Sequence, residues 1–369
     1  MTFYELTERY PDERSAVQYF DERRWPDGRT CVQCKSPDTY DSKTKGSKHP
    51  IYKCRACGRR FTTTSGTIMQ GTHLPLRLWL FAFHLIASSK KGISTRQVAR
   101  MMGVTVKTAW HLTHRIRATM KGGEDEQKFG GIVESDETYV GGKRKNHGRG
   151  YRGNKAAVQT IIRRGTRTTR RDHNDADDHS QARTIVLSPD GNVDGRSVSA
   201  KLRKHTDPEN TVLMTDESPI YGEVGKSFDE HHTVNHKRKE YVRQESDGHL
   251  AHTNTAEGFF GNLKRQINGT HHSVSKKHLA RVTTEHDFKY NNRHLSDSEI
   301  AEQAIGNIEG NRLTLYKTVS GTGESLYDVK QGEKPKTKTA RGSSLHKRTG
   351  KKAAPPPNAN RDDKEGGAA

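Results

Sequence analysis

One short stretch of the chain is rich in groups that can do chemistry. Residues 133–143 read VESDETYVGGK, and three carboxylates fall within four of them. The stretch follows a Gly-Gly pair, begins like a β-strand and leaves through a second Gly-Gly pair. Because an unpartnered buried charge is costly, carboxylates here are expected to face a cation, an arginine or water. We interpret Asp136, at the predicted end of this strand, as a ligand for a divalent metal ion.

Two further acids occupy comparable places later in the chain. Residues 211–217 read TVLMTDE, which predicts a buried strand that ends at Asp216. Residues 254–267 predict a helix with one apolar stripe. On that helix Glu257 and Lys264 are seven residues apart, so two helical turns bring both to nearly the same side. A carboxylate and an ammonium group are therefore expected to face one site.

Three carboxylates from separate segments can hold two divalent ions. Such ions activate a water or a 3′-hydroxyl and stabilise the leaving oxygen of a phosphodiester. Mg²⁺ suits this role, and Lys264 would neutralise phosphate charge or hold the DNA strand. Each acid alone is weak evidence, because a strand-end Asp is more often a loop cap or an ion-pair partner. The neighbouring acids Glu134, Glu137 and Glu217 remain open as alternatives. Four histidines could also be ligands, but such residues are more often surface or hydrogen-bonded groups, and we leave them out of the assignment: His249, His252, His271 and His272.

The four cysteines form two Cys-x-x-Cys pairs, Cys31 with Cys34 and Cys54 with Cys57. Two such turns direct four thiolates at one ion, and tetrahedral S₄ coordination suits Zn²⁺. All four positions are filled, so the zinc is predicted to be structural. The simplest interpretation is a small ribbon held together by metal. A compatible one adds DNA contacts through the basic residues Arg55, Arg59 and Arg60.

Three helices are predicted after the ribbon, over residues 75–90, from Ser94 and from Thr105. The second and third are separated by a short turn at Gly103, and the third has a basic side, which is the helix-turn-helix outline. Met101 and Val106 are expected to face inward. The outward side is expected to carry Lys107, Thr108, His111, His114, Arg115 and Arg117. Of these we assign DNA contacts to Lys107, Thr108, His111 and Arg115. The alternative is a plain three-helix bundle with solvated charges.

The sequence predicts a multidomain α+β protein. We expect an N-terminal helical arm (1–30), a zinc ribbon (31–72), a helix-turn-helix region (73–120) and a catalytic domain (130–310). Within the last, the strand that ends at Asp136 and strands over 156–162 and 182–187 form a predicted antiparallel meander, with an exposed flap over 163–181. Residues 320–369 predict a disordered basic tail. From residue 330 it holds eleven Lys and Arg against four Asp and Glu, 11 − 4 = +7, which favours non-specific phosphate affinity.

The composition of the chain favours some classes of binding partner over others. The 369 residues carry a formal net charge of +20, which favours a polyanion and above all nucleic acid. No apolar run reaches the roughly 18 residues of a membrane helix, and the N-terminus lacks the pattern of a secretory signal. Paired cysteines in an unsecreted chain indicate metal rather than disulfides. We therefore expect a cytoplasmic DNA-binding protein without membrane association.

Several motifs together resemble one family. The ribbon, the helix-turn-helix, ESDETYVGGK, LMTDESPIYGEVG, HTNTAEGFFGNLKRQINGTHHSVSKKHL and FKYNNR are similar to the zinc-ribbon, ISXO-like branch of the DDE insertion-sequence transposases. The likeness covers about residues 14–294. It implies a ribonuclease-H-like core with a mixed sheet, the acids Asp136, Asp216 and Glu257, and Lys264 as the following basic residue. It further implies Mg²⁺ or Mn²⁺, binding of terminal inverted repeats, strand transfer into target DNA, a homo-oligomer and association with the nucleoid.

The resemblance leaves a few points open. Some members carry Asn as the third residue, and Asn254 lies one turn before Glu257. We favour Glu257 because its spacing to Lys264 fits the pattern. Two other functions compete with transposition: a catalytically inactive, DNA-binding regulator derived from a transposase, and a structure-specific nuclease without strand transfer. The presence of all three acids and Lys264 argues against the regulator.

Overall fold

The computed structural model describes residues 2–42, 50–121, 127–142, 155–165, 179–188, 191, 193–235, 238, 240–246, 248–310, 313–314 and 318. Most of the predicted flap and the whole predicted tail lie outside these residues. No helix in this part of the chain is long and apolar enough to span a bilayer.

The N-terminal part combines helices with a small antiparallel sheet of order β1-β2-β3. Its elements are α1 (Phe3–Arg9), α2 (Glu13–Arg24), β1 (Thr39–Ser42), β2 (Ile51–Cys54), β3 (Arg60–Phe61), α3 (Leu76–Ser88), α4 (Thr95–Met102) and α5 (Val106–Thr119). The apolar helix α3 is buried along most of its length. Helix α1, within the predicted N-terminal arm, begins with a capping box at Thr2.

The starts of α4 and α5 follow their capping residues. The Ser94 hydroxyl accepts a hydrogen bond from the Gln97 N–H, and the Thr105 hydroxyl accepts one from the Thr108 N–H, each at 3.2 Å. Between the helices Gly103 adopts φ 65°, a left-handed conformation that glycine reaches without strain. The two predicted helix starts and the predicted turn are therefore confirmed.

The predicted sides of these helices are partly wrong. Met101 and Val106, expected to face inward, are each 51% exposed. His114, Arg115 and Arg117, expected to face solvent, are buried. The reason is that α5 is enclosed between α3 and a helix close to the other end of the chain, described below. Sequence periodicity cannot anticipate a second packing partner so distant in sequence.

A five-stranded mixed sheet of order β6-β5-β4-β7-β8 forms the second part. Neighbouring strands β4, β5 and β6 pair antiparallel, which confirms the predicted meander, whereas β7 pairs parallel with both β4 and β8. The strands are β4 (Phe129–Val140), β5 (Ala156–Arg163), β6 (Gln181–Ser188), β7 (Thr206–Asp216) and β8 (Glu230–Val234).

Helices cover both faces of this sheet. Helix α6 (Gly195–His205), a 3₁₀ turn (Pro219–Tyr221) and α7 (Gly222–Gly225) lie on one face. The opposite face packs against α8 and α9. The remaining elements are a small hairpin of β9 (Arg243–Gln244) and β10 (Leu250–Ala251), α8 (Asn254–Arg265), a π-helical segment (Gln266–His271), α9 (Lys276–Asn291) and α10 (Asp297–Gly306).

The N-terminal helices share a hydrophobic core with the end of the second part. Phe288 of α9 and Ile300 and Ala301 of α10 are buried in the same cluster as Trp79 and Leu80 of α3. Helix α9 is also the second packing partner of α5. Burial of apolar side chains from both parts in one cluster ties the predicted DNA-binding helices firmly to the sheet.

Candidate functional site

The four cysteines converge as predicted. Their sulfur atoms all lie within 4.8 Å of one another, with Cys31 Sγ 3.6 Å from Cys57 Sγ and Cys34 Sγ 3.6 Å from Cys54 Sγ. In a ZnS₄ tetrahedron with bonds of about 2.3 Å, the sulfurs are about 3.8 Å apart. The spacing and the all-thiolate donor set therefore fit zinc. The cluster is a closed potential zinc site in which no position remains for a substrate.

The central sheet brings the first two acids side by side. Strands β4 and β7 run parallel, and Glu134 pairs with Met214. Two residues further along both strands, the same register places Asp136 beside Asp216. Because strand side chains alternate, both acids point to the face covered by α8. Asp216 is the last residue of β7, as predicted.

The predicted position of Asp136 at a strand end is wrong. Strand β4 continues through Val140, because its far side stays paired with β5 up to the pair Val140–Ala156. Only the pairing with β7 stops before Asp136. Asp136 therefore lies at the edge of the parallel half of the sheet, inside a strand held firmly on its other side.

Helix α8 supplies the remaining groups of the acid cluster, which we define as Asp136, Asp216, Glu257 and Lys264. Burial raises the pKa of Asp136 to about 7, helped by the charges of Asp216 and Glu257 and opposed by that of Lys264. A N–H donated by Glu137, at 2.7 Å, also opposes the rise. Each member of the cluster therefore acts electrostatically on Asp136, although Glu257 and Lys264 themselves lie on an exposed side of α8.

The carboxylates of the acid cluster are spread more widely than the cysteines. Within the described ranges, the cysteines are the group of at least three potential ligands whose donor atoms lie within 4.8 Å of one another. The three acids therefore do not enclose one ion by themselves. Their oxygen donors suit Mg²⁺ or Mn²⁺, which also take water and phosphate oxygens as ligands.

Two domain families match this chain. Residues 128–291 match the ISXO2-like transposase domain, and residues 11–60 match the transposase zinc-ribbon domain. Over these residues the chain is similar to the zinc-ribbon, ISXO2-like transposases. The first match runs from the start of β4 to the end of α9, so it contains the whole acid cluster. The second includes all four cysteines.

A curated relative supports this assignment. Over 281 residues the chain is 24% identical to an uncharacterized protein in transposable element ISH50 of Halobacterium salinarum. The alignment covers 73% of this chain and 88% of the relative. No solved structure matches.

The neighbouring acids of this ISXO2-like chain are engaged elsewhere. Glu134 is buried and forms an ion pair with Arg164, with Arg164 Nε 2.6 Å from Glu134 Oε1. Glu137 points to the opposite face of the sheet, where the Tyr221 hydroxyl donates a hydrogen bond to it. Glu217 directly follows β7 and is half-buried. The two buried glutamates thus have chain partners of their own.

The four histidines left out of the predicted site have varied surroundings. His252 lies beside Glu134, with 3.3 Å between Nδ1 and Oε1. Burial lowers the pKa of His271 to about 4, so its ring is neutral at physiological pH. His249 is half-buried and His272 is exposed. In the described part of the chain, none of them joins a group of ligands close enough to hold one ion.

The predicted DNA contacts on α5 differ in exposure. Lys107 is exposed, and Thr108 and His111 are half-buried. Arg115 is enclosed: its Nη2 donates to the Gln70 carbonyl at 2.8 Å, and its guanidinium lies 5.0 Å from the centre of the Trp79 ring. Arg115 therefore stabilises the packing of α5 on α3 in this structure.

The FKYNNR motif includes a residue with a structural task that sequence reasoning missed. The side chain of Asn291 accepts a hydrogen bond from the Ala182 N–H at 2.7 Å and donates one to the Ala182 carbonyl at 3.0 Å. One turn earlier, Asp287 accepts from the Thr184 N–H at 2.7 Å. Both side chains satisfy the outer edge of β6, which would otherwise be open to pairing with another strand. The spacing of four residues on one helix was the available signal.

Proposed function

We propose that this chain is the transposase of an insertion sequence, which binds the terminal inverted repeats of its element and catalyses metal-dependent DNA cleavage and strand transfer. The observation that carries the proposal is the acid cluster. Register places Asp136 beside Asp216 on the face of the sheet covered by α8, and Glu257 and Lys264 of that helix are near enough for their charges to act on Asp136. The strand order β6-β5-β4-β7-β8 supports a ribonuclease-H-like core.

Each residue of the acid cluster has a role in this proposal. Asp136, Asp216 and Glu257 would hold Mg²⁺ or Mn²⁺. When bound, such ions activate water or a 3′-hydroxyl and stabilise the leaving oxygen. Lys264, exposed two turns along α8, would bind a phosphate of the DNA strand and keep it against the acids. Asp216 is oriented by its own turn, since it accepts a hydrogen bond from the Ser218 N–H at 3.0 Å.

DNA recognition is assigned to the turn between α4 and α5. Lys107 and Thr108 lie in the first turn of α5, with His111 one turn further, as in a helix-turn-helix that presents the start of its second helix. Arg96 and Arg100 are exposed on α4 and extend the same basic surface. We leave Arg115 out of this surface because its guanidinium is enclosed. Phosphate contacts by the basic residues would position the protein, and contacts to bases would specify the repeat.

The zinc ribbon is assigned a structural zinc ion and an auxiliary DNA contact. Cys31, Cys34, Cys54 and Cys57 would hold the ion. Arg55, Arg59 and Arg60 are exposed on the outside of the ribbon and available to DNA phosphates. We further propose that the chain acts as a homo-oligomer on two element ends and a target DNA, in association with the nucleoid.

The deciding experiment is cleavage of labelled duplexes that carry the terminal repeats flanking the element, with Mg²⁺ or Mn²⁺. We expect metal-dependent nicking at the 3′ end that is lost in Asp136→Ala and Asp216→Ala. Glu257→Gln should lose at least about a hundredfold in rate, and Asn254→Ala much less, since metal ligands matter more than their outer-shell partners. The reverse order would assign the third position to Asn254.

Other outcomes would favour the competing functions. Binding of the repeats without any cutting by the unmodified protein would indicate a DNA-binding regulator. Cutting of branched DNA irrespective of terminal sequence, without joining to a target, would indicate a structure-specific nuclease. Cutting that survives both aspartate substitutions would reject the assignment of the acid cluster.

A further inference from the structure

A single arginine next to the acid cluster ties three segments together. Arg164 follows the last residue of β5, and its N–H donates to the Ile132 carbonyl of β4 at 2.8 Å. Its guanidinium donates through Nε to Glu134 Oε1 at 2.6 Å and through Nη1 to the Leu250 carbonyl at 2.7 Å. Nη2 donates to the His252 carbonyl at 2.6 Å. A planar guanidinium offers five N–H donors spread over three nitrogens, so it can reach acceptors on different segments, whereas an ammonium group donates from a single nitrogen.

Glu134 connects Arg164 to helix α8. While Oε1 faces Arg164, Oε2 accepts a hydrogen bond from the Ala256 N–H in the first turn of α8 at 2.9 Å. Burial would raise the pKa of Glu134, but hydrogen bonding from His252 and the charge of Arg164 outweigh it, so the pKa is lowered. The negative charge of Glu134 is also stabilised by the positive, N-terminal end of the α8 dipole. Both carboxylate oxygens are therefore occupied by the chain.

The hydrogen-bond network of Arg164 and Glu134 touches two of the three elements that carry the acids, β4 and α8. Glu134 lies two residues before Asp136 on the same face of β4, and Ala256 directly precedes Glu257. The carbonyls of Leu250 and His252 belong to the segment that leads into α8. Hydrogen bonds between residues near Asp136 and residues near Glu257 therefore connect the two acids indirectly. The side chain of Glu134 is 0% exposed and that of Arg164 is 12% exposed, so water competes little for these bonds.

We propose that Glu134 and Arg164 are positioning residues that set the place of Glu257 relative to Asp136, and thereby adapt the acid cluster to Mg²⁺. The part of this inference that concerns DNA cleavage rests on the proposed function. Mg²⁺ demands near-ideal octahedral geometry with short bonds. A loosened first turn of α8 is therefore expected to impair work with Mg²⁺ more than with the larger Mn²⁺. Outer-shell partners of metal ligands typically contribute 10–100-fold.

The test uses Arg164→Lys, which keeps the charge and loses the three-way contact, and Glu134→Gln, which keeps the shape and loses the charge. Arg203→Lys, an exposed position on α6, is the matched control. The first readout does not depend on activity. It combines hydrogen exchange of the backbone amides over 254–258 with a calorimetric measurement of Mn²⁺ binding. We expect faster exchange confined to this turn, weaker Mn²⁺ binding in both variants, and no change in the control.

The second readout is cleavage of repeat DNA. We expect Arg164→Lys to lose roughly 100-fold in Mg²⁺ and roughly tenfold in Mn²⁺ at unchanged affinity for the repeat. Glu134→Gln combined with Arg164→Lys should cost little more than either alone, since the two side chains act as a unit. Exchange that accelerates throughout the central sheet, or an unaltered ratio of Mg²⁺ to Mn²⁺ rates, would overturn the proposal. If the unmodified protein cuts no DNA, the proposed function fails, while exchange and Mn²⁺ binding still decide the network.

Discussion

Two places in this molecule bury carboxylates, and the chain treats them in opposite ways. Between α5 and α9, Glu285 receives two cations: its Oε2 is 2.6 Å from Arg117 Nε, and its Oε1 is 2.6 Å from Lys289 Nζ. Burial alone would raise the pKa of Glu285, but the charges of Lys289 and Arg117 hold it far below the ordinary value. This acid is ionised, paired and enclosed, and it joins the predicted DNA-binding helices to the sheet.

The acid cluster is the opposite case. Burial raises the pKa of Asp136 to about 7, and the charge of Lys264 offsets only part of the repulsion from Asp216 and Glu257. On the other face of the same strand, burial also raises the pKa of Glu137 to about 7. For Glu285 the chain supplies its own cations, and Glu137 has the Tyr221 hydroxyl as its partner. Where carboxylates gather without sufficient compensation, the missing positive charge fits a bound divalent ion.

The sharpest test of this contrast is Asp136→Asn. Cleavage of repeat DNA is expected to fall at least about a thousandfold, more than the loss typical of an outer-shell partner. Stability without divalent ions should stay equal or rise by about 1 kcal/mol, because a poorly compensated buried charge is removed. Single-turnover cleavage and urea unfolding measure the two effects. A large loss of stability would place Asp136 with the structural acids, and Asp229→Asn, at an exposed position, serves as the control.

The structural acid should respond in the reverse manner. Glu285→Gln is expected to cost about 3 kcal/mol of unfolding free energy, because Arg117 and Lys289 remain buried without their counter-charge. Since folding lowers the pKa of Glu285, its contribution is present above the ordinary glutamate pKa of about 4.3 and is lost as the pH falls below it. Unfolding in urea at several pH values should therefore show a flatter acid limb for the variant.

A second substitution separates charge from packing at this place. Lys289→Met added to Glu285→Gln removes one of the two stranded cations and should recover part of the lost stability. Glu209→Gln, an exposed position on β7, should leave the unfolding free energy within about 0.5 kcal/mol of the original. If Glu285→Gln is as mild as this control, the ion pairs between α5 and α9 contribute nothing to stability.

The two places also differ in how far the sequence predicts them. The acids of the cluster lie in local patterns, a strand with polar residues and a helix with two groups seven apart, and the cysteine spacing predicts its own cluster. Of the two partners of Glu285, Lys289 lies four residues on in the same helix, a local spacing. Arg117 has no such signal, because it lies 168 residues away. For the same reason the sequence predicts a free basic side of α5, whereas Arg117 and His114 are buried where α5 packs against α9. Local periodicity reports which residues share a side of a helix, and only the tertiary structure decides what covers that side.

Glu137 allows the smallest and most specific test, because it shares a strand with Asp136 and differs in the face it occupies. The Tyr221 hydroxyl, which donates to Glu137, also lies 3.0 Å from the Ser135 hydroxyl, and Gln159 Nε2 donates to that hydroxyl at 3.0 Å. In Glu137→Gln the amide oxygen can still accept from Tyr221, while the charge that repels Asp136 disappears. We expect a gain of about 1 kcal/mol in urea unfolding without divalent ions, and cleavage within about threefold of the original. A loss of cleavage as large as that of Asp136→Asn would show that the cluster extends through the sheet, and would end the distinction between its two faces.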